Sequence, residues 1–193
     1  MTLGYASLEE GIPEYFKYRF GCDVTKEAVS GTTLVDEDES SYVSRLKANV
    51  DHNASYDLAV VQLSTNDAGK GKTPGTVSDT KDTDSFDTKT IAGAIEYIIA
   101  YIRNTYGCPV LFYTNARFKS DSYQQMVDIL YRIMDKWGIG VIDLWSDDGF
   151  NDIEDQERKL YMADPIHPTK AGYRDWWCPE IERQLQQQLE DIL

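Results

Sequence analysis

The sequence predicts an α/β domain, a parallel sheet with helices on both faces, and three observations point to it. Apolar runs at 56–63 and 108–114 are continuous rather than alternating, as in strands buried on both sides. Between and after them lie segments of helical period, clearest over 89–105 and 120–137. No hairpin dipeptide separates one strand-like run from the next, so helices must make the crossovers.

In chain order, residues 8–20 place Ile12, Tyr15, Phe16 and Phe20 at helical spacing, with acidic residues early and basic ones late, which suits the helix dipole. A strand is expected at 22–29, ending in the small-residue loop Ser30-Gly31-Thr32-Thr33, and a short serine-capped helix at 40–48. The strand at 56–63 runs into Ser64-Thr65-Asn66-Asp67. Residues 68–88, rich in Gly, Lys, Thr, Asp and Ser, have no apolar period and read as a long loop over one end of the sheet, expected to shape a substrate pocket. Its aspartates lack the spacing of a calcium loop and read as solvated charge. Helix 89–105 turns Ile91, Ala94, Ile95, Ile98, Ile99 and Ile102 to one side and stops at Gly107. Strand 108–114, helix 120–137 and strand 139–145 follow. Residues 150–162 are acidic and partly helical, a helix begins near Thr169, and Pro179 starts or kinks the last one, with Ile181, Leu185 and Leu189 inward.

A length of 193 residues is enough for one domain with a substantial core. Aromatic residues at 12% and hydrophobic ones at 41% exclude disorder. The net charge of −14 repels phosphate backbones and anionic lipid, so neither nucleic acid nor membrane is expected as a partner. No apolar run approaches a membrane span and the N-terminal residues lack a signal pattern, so a cytoplasmic location is expected. Cys22, Cys108 and Cys178 are odd in number and widely spaced, which indicates neither disulfides nor zinc; they read as small buried hydrophobes.

The chemistry concentrates in Asp164-Pro165-Ile166-His167-Pro168. A carboxylate that accepts the Nδ1 proton of an imidazole leaves Nε2 free to take a proton from a hydroxyl nucleophile. The same five residues would equally make a rigid surface turn. At the ends of other expected strands, Gly31 can offer a backbone N–H and Asn66 a side-chain amide, neutral donors of the kind that stabilise a developing oxyanion. Each would also serve as an ordinary turn residue. His52 reads as a surface histidine.

Taken in order, Val29-Ser30-Gly31-Thr32-Thr33, Leu63-Ser64-Thr65-Asn66-Asp67 and Asp164-Pro165-Ile166-His167-Pro168 resemble the glycine, G-x-N-D and D-x-x-H blocks of the SGNH hydrolases, also called GDSL-like lipases and acylhydrolases. The resemblance spans nearly the whole chain. It implies a three-layer α/β/α fold with a flavodoxin-like parallel sheet, His167 as general base, Asp164 as its orienting carboxylate, and Gly31 and Asn66 as the oxyanion hole. These groups would then line one pocket. Ser64 stands where the family has glycine.

The family's first block, Gly-Asp-Ser, is matched only past its serine, by Met1-Thr2-Leu3-Gly4. The nucleophile and the first strand, central in the family's 2-1-3-4-5 order, are therefore expected to be missing, leaving residues 1–193 as one N-terminally truncated domain. Ser7 and Ser30 lie near the relevant blocks but in no nucleophile elbow. The chain alone is expected to be inactive. Its strands at 22–29 and 56–63 would close on each other or accept a strand from a partner, as in a homodimer.

The function this implies is a serine esterase for small acyl or acetyl esters, carbohydrate esters among them, without metal or cofactor. A catalytically inactive binding module of the same fold is the alternative. A flavin carrier would need a phosphate-cradling loop after the first strand, which the sequence does not show.

Overall fold

The computed structural model describes residues 10–192, with side chains to residue 189. Among them three strands, β1 (Ala59–Gln62), β2 (Val110–Tyr113) and β3 (Gly140–Ile142), form a wholly parallel sheet in the order β1-β2-β3. Val60 stands beside Leu111, and Leu111 beside Gly140. Side chains alternate across β2. Val110 and Phe112 enter one apolar layer with α2 (Tyr42–Asn49), α4 (Ile91–Tyr106) and α5 (Asp121–Trp137). Leu111 and Tyr113 enter another with α1 (Ile12–Phe20) and α9 (Cys178–Ile192). The result is helix, sheet, helix, with all four residues of β2 buried.

The helices follow their sequence signals closely. Thr90 and Ser120 accept hydrogen bonds from the N–H groups of Gly93 and Tyr123, capping α4 and α5. The strands are shorter than the apolar runs that mark them. Helix α8 (Lys170–Gly172) leads through a wider, π-helical turn at Tyr173–Trp177 into α9. Pro179 explains the widening, since it cannot donate to the preceding turn and its ring crowds the carbonyl there.

The segment 22–29, expected as a strand, is not one. It runs exposed, without a ladder partner among the described residues. Side chains hold it instead, through Lys26 on Glu14 at 2.9 Å and Glu27 on Arg45 at 2.6 Å. A strand is stabilised by its neighbours, and the outer edge of β1 is paired with no described residue. So 22–29 and 56–63 do not close on each other. Cys22, in this segment, is exposed rather than buried, whereas Cys108 and Cys178 are buried.

The two edges of the sheet differ. On β1 the N–H groups of Ala59 and Leu63 donate to Pro109 and Tyr113 on the β2 side, so the peptide groups of Val60 and Gln62 face outward. On β3 the outward-facing Asp143 peptide is satisfied by Gln184 of α9, whose Oε1 accepts its N–H at 2.7 Å and whose Nε2 donates to its carbonyl at 3.3 Å.

The Asp143 carboxylate joins the ends of β2 and β3. It accepts from Tyr131 and Thr114 hydroxyls and from the N–H groups of Trp145 and Ser146. Burial, the largest single influence, pushes this carboxyl up, but the hydrogen bonds outweigh it and hold it below the ordinary carboxylate range. Such a group contributes stability in full above its unfolded pKa and loses it as pH falls through the lower folded value. Asp143→Asn should therefore flatten the acid limb of a plot of urea midpoint against pH. An unchanged acid slope would contradict this.

The loop at 68–88 lies at the end of the sheet only where it starts, with Lys70 reaching the Gly31 carbonyl. It leaves the N-terminus of α4, where Thr73 and Pro74 carbonyls accept from Ile91 and Ala92, and runs along α4 and α5. Glu96, fully buried on α4, accepts from Ser78 N–H and from Trp137 Nε1 and pairs with Lys136. Lys136 Nζ also donates to the carbonyls of Ser78 and Thr80. Phe86 packs on Trp137, and Thr83 meets Asn104 near the far end of α4. The loop is strapped to the back of the helical layer because its carbonyls meet a cation there. Among the described residues no helix is long and apolar enough to cross a membrane.

Candidate active site

The Asp164–His167 turn is closed at its base. Met162 and Pro168 form an antiparallel bridge, and Ala163 N–H donates to the His167 carbonyl at 2.9 Å. Thr169 donates its N–H to Tyr161 and its hydroxyl to Leu160, fixing the following chain to α7 (Asp155–Tyr161). Gly172 is required by this contact, because a Cβ there would stand 2.0 Å from the Tyr161 carbonyl oxygen.

Within the turn, Asp164 Oδ1 accepts the N–H groups of Ile166 and His167, each at 2.8 Å, and Oδ2 lies 2.7 Å from His167 Nδ1. Burial is the largest influence on Asp164 and pushes its carboxyl up. The two backbone N–H groups and the imidazole outweigh it, so the carboxyl sits below its ordinary range. An ionised Asp164 selects the Nδ1–H tautomer, which leaves Nε2 an acceptor. His167 is 39% exposed, open enough for a ligand to approach.

Gly31 adopts φ +78°, a left-handed conformation that favours glycine, with no atom near its missing Cβ. Its carbonyl accepts Lys70 Nζ at 2.7 Å. Beside it the Thr32 carbonyl accepts both Ser64 Oγ (3.2 Å) and Asn66 Nδ2 (3.1 Å). Asn66 thus lies against the glycine loop, on the short helix α3 (Thr65–Gly69), whose N-cap is Ser64. Its amide has a second hydrogen to offer. Ser64, where the resembled block has glycine, is buried and binds the two segments together rather than filling the site.

Asp67 completes the junction. It is fully buried, and its two oxygens accept the N–H groups of Leu34 (2.8 Å) and Val35 (3.1 Å). Desolvation dominates and raises its pKa against those bonds. Sequence reasoning quoted Asp67 without giving it a role; its position after Asn66 was the available signal.

The Asn66 segment and the His167 turn lie at the same end of the sheet. The Tyr123 hydroxyl, fully buried, donates to the Leu63 carbonyl at 3.0 Å and accepts Asn115 N–H at 2.9 Å, joining the C-terminal ends of β1 and β2. Asn115 Nδ2 then reaches the Ile166 carbonyl at 3.4 Å, one residue before His167. Ser30 is exposed beside Gly31, Ser7 lies outside the described residues, and His52 is an exposed histidine contacting Lys47 and Tyr101.

The fold has close counterparts among solved structures. A protein from Lactobacillus plantarum matches with a TM-score of 0.74 at 19% identity, over 95% of this chain and 88% of its own. A protein assigned to the G-D-S-L lipolytic family from Desulfitobacterium hafniense matches with 0.67 at 15% identity, over 95% and 93%. A protein assigned as a GDSL-like lipase from Bacteroides ovatus gives 0.66 at 17% identity, over 96% and 80%. No curated protein matches the chain. The sequence model of the GDSL-like lipase/acylhydrolase family matches residues 3–174, through the glycine loop, Asn66 and the Asp164–His167 turn, and the chain belongs to that family.

Proposed function

We propose that this protein provides the base and oxyanion hole of a serine esterase acting on small acyl or acetyl esters, carbohydrate acetates among them. The observation that supports this best is the Asp164–His167 pair at the sheet end that also holds Gly31 and Asn66. In this reading a serine hydroxyl attacks the ester carbonyl and passes its proton to His167 Nε2. The Gly31 N–H and the free Asn66 amide hydrogen receive the oxyanion, a donor of this kind being worth about 3–4 kcal/mol. His167 then protonates the departing alcohol, and water releases the acid by the reverse sequence.

The serine we propose belongs to the family's first block, directly ahead of Met1-Thr2-Leu3-Gly4, and is neither Ser7 nor Ser30. On a strand beside β1 it would meet the outward Val60 and Gln62 peptides. The strand can come from the same polypeptide or from a second copy. The test compares the 193-residue chain with a form carrying an added strand that ends in Gly-Asp-Ser, using nitrophenyl acetate and a serine-directed fluorophosphonate. Turnover and labelling in the extended form alone are expected. Labelling of Ser7 or Ser30 would overturn the assignment of the nucleophile. No turnover in either form would favour a module that binds esters without cleaving them.

A further inference from the structure

The buried hydroxyl of Tyr123 touches neither proposed oxyanion donor nor base, yet it stands on the hydrogen-bonded path between them. One side of the path is Thr32, Asn66, Ser64 and the Leu63 carbonyl; the other is Asn115, the Ile166 carbonyl and His167. We infer that Tyr123 and Asn115 are positioning residues, which set the His167 turn relative to the Asn66 segment. The hydroxyl uses its single proton on Leu63 and a lone pair on Asn115, so both halves of the bridge depend on one oxygen.

The alternative arrangement of Asn115 is closed off. Its Nδ2 donates to both the Ala116 and Ile166 carbonyls, and reversing the amide would set oxygen against two oxygens. Its Oδ1 is buried and has no hydrogen-bond partner among the described residues. Fully buried, Asn115 can turn neither to solvent nor to the reversed amide, so its contact with the His167 turn is fixed.

This inference rests on reading His167 as base and Asn66 as oxyanion donor, but its test needs no turnover. The readouts are the ¹⁵N and ¹H resonances of the His167 ring and of the Ile166 and His167 backbone amides, beside the Asn66 side-chain amide resonances, with the exposed His52 as internal control. In Tyr123→Phe, the His167 ring and the Ile166 and His167 backbone amides are expected to shift, with His167 still Nδ1–H on Asp164, and the Asn66 amide to shift too, while His52 stays in place. Asn115→Ala, which keeps Tyr123 on Leu63, should move His167 and leave Asn66 unmoved; it also stands as the test if Tyr123→Phe does not fold. A folded variant of either kind with His167 unchanged would overturn the proposal. Failure of ester hydrolysis with these responses present would instead overturn only the catalytic reading.

Discussion

Replacing His167 with alanine, in the form that bears the attacking serine, is expected to lower ester turnover by about a million-fold, the scale of losing a triad member. Stability should barely change. The side chain is 39% exposed, and the net worth of its hydrogen bond to Asp164 at such an open place is about 1 kcal/mol. The turn itself is held by Asp164 Oδ1 on two backbone N–H groups and by the bridge at its base, none of which involves the imidazole. Asp164→Asn should cost about ten-thousand-fold, because an amide at this place favours the wrong tautomer while the turn persists. Turnover of a chromogenic acetate, measured beside urea unfolding, checks both. A His167→Ala protein with normal turnover would remove His167 from the reaction.

The second large effect concerns stability at a place remote from the site. Glu96→Leu should destabilise the protein by about 3–5 kcal/mol, as when one member of a buried ion pair is removed. The carboxylate is fully buried and answers Lys136, Trp137 Nε1 and Ser78 N–H together. Without it the Lys136 ammonium retains the carbonyls of Ser78 and Thr80 and the faces of Phe86 and Trp137, but no counter-charge. Cleavage by a protease within 70–88 should accelerate at the same time, since the loop loses its central anchor. A urea midpoint within error of the parent would show that Lys136 is accommodated some other way.

How far these features were legible in the sequence depended on whether they were local. Helices α4 and α5 could be read because their apolar period, caps and terminal glycines all lie within the segment. The Asp164–His167 pair was legible for the same reason, with both partners in one turn. The segment at 22–29 was misread because a strand is decided by its neighbour, and none of the described residues pairs with it. Glu96 gave no sign of burial, sitting beside Ile95 in a helix whose apolar face drew the attention. The bridging role of Tyr123 is not legible within helix α5, since the Leu63 carbonyl it serves is 60 residues away in the chain.

The Gln184 amide has a consequence for how copies of this protein can associate. By matching the Asp143 peptide donor for acceptor, it occupies the place where another strand would begin to pair with β3. Among the described residues the outer edge of β1 has no such plug. Two copies meeting through their β1 edges would form a two-fold pair that consumes both of those edges. On the opposite edge a side-chain amide on one helix already stands in for the first residue of a further strand.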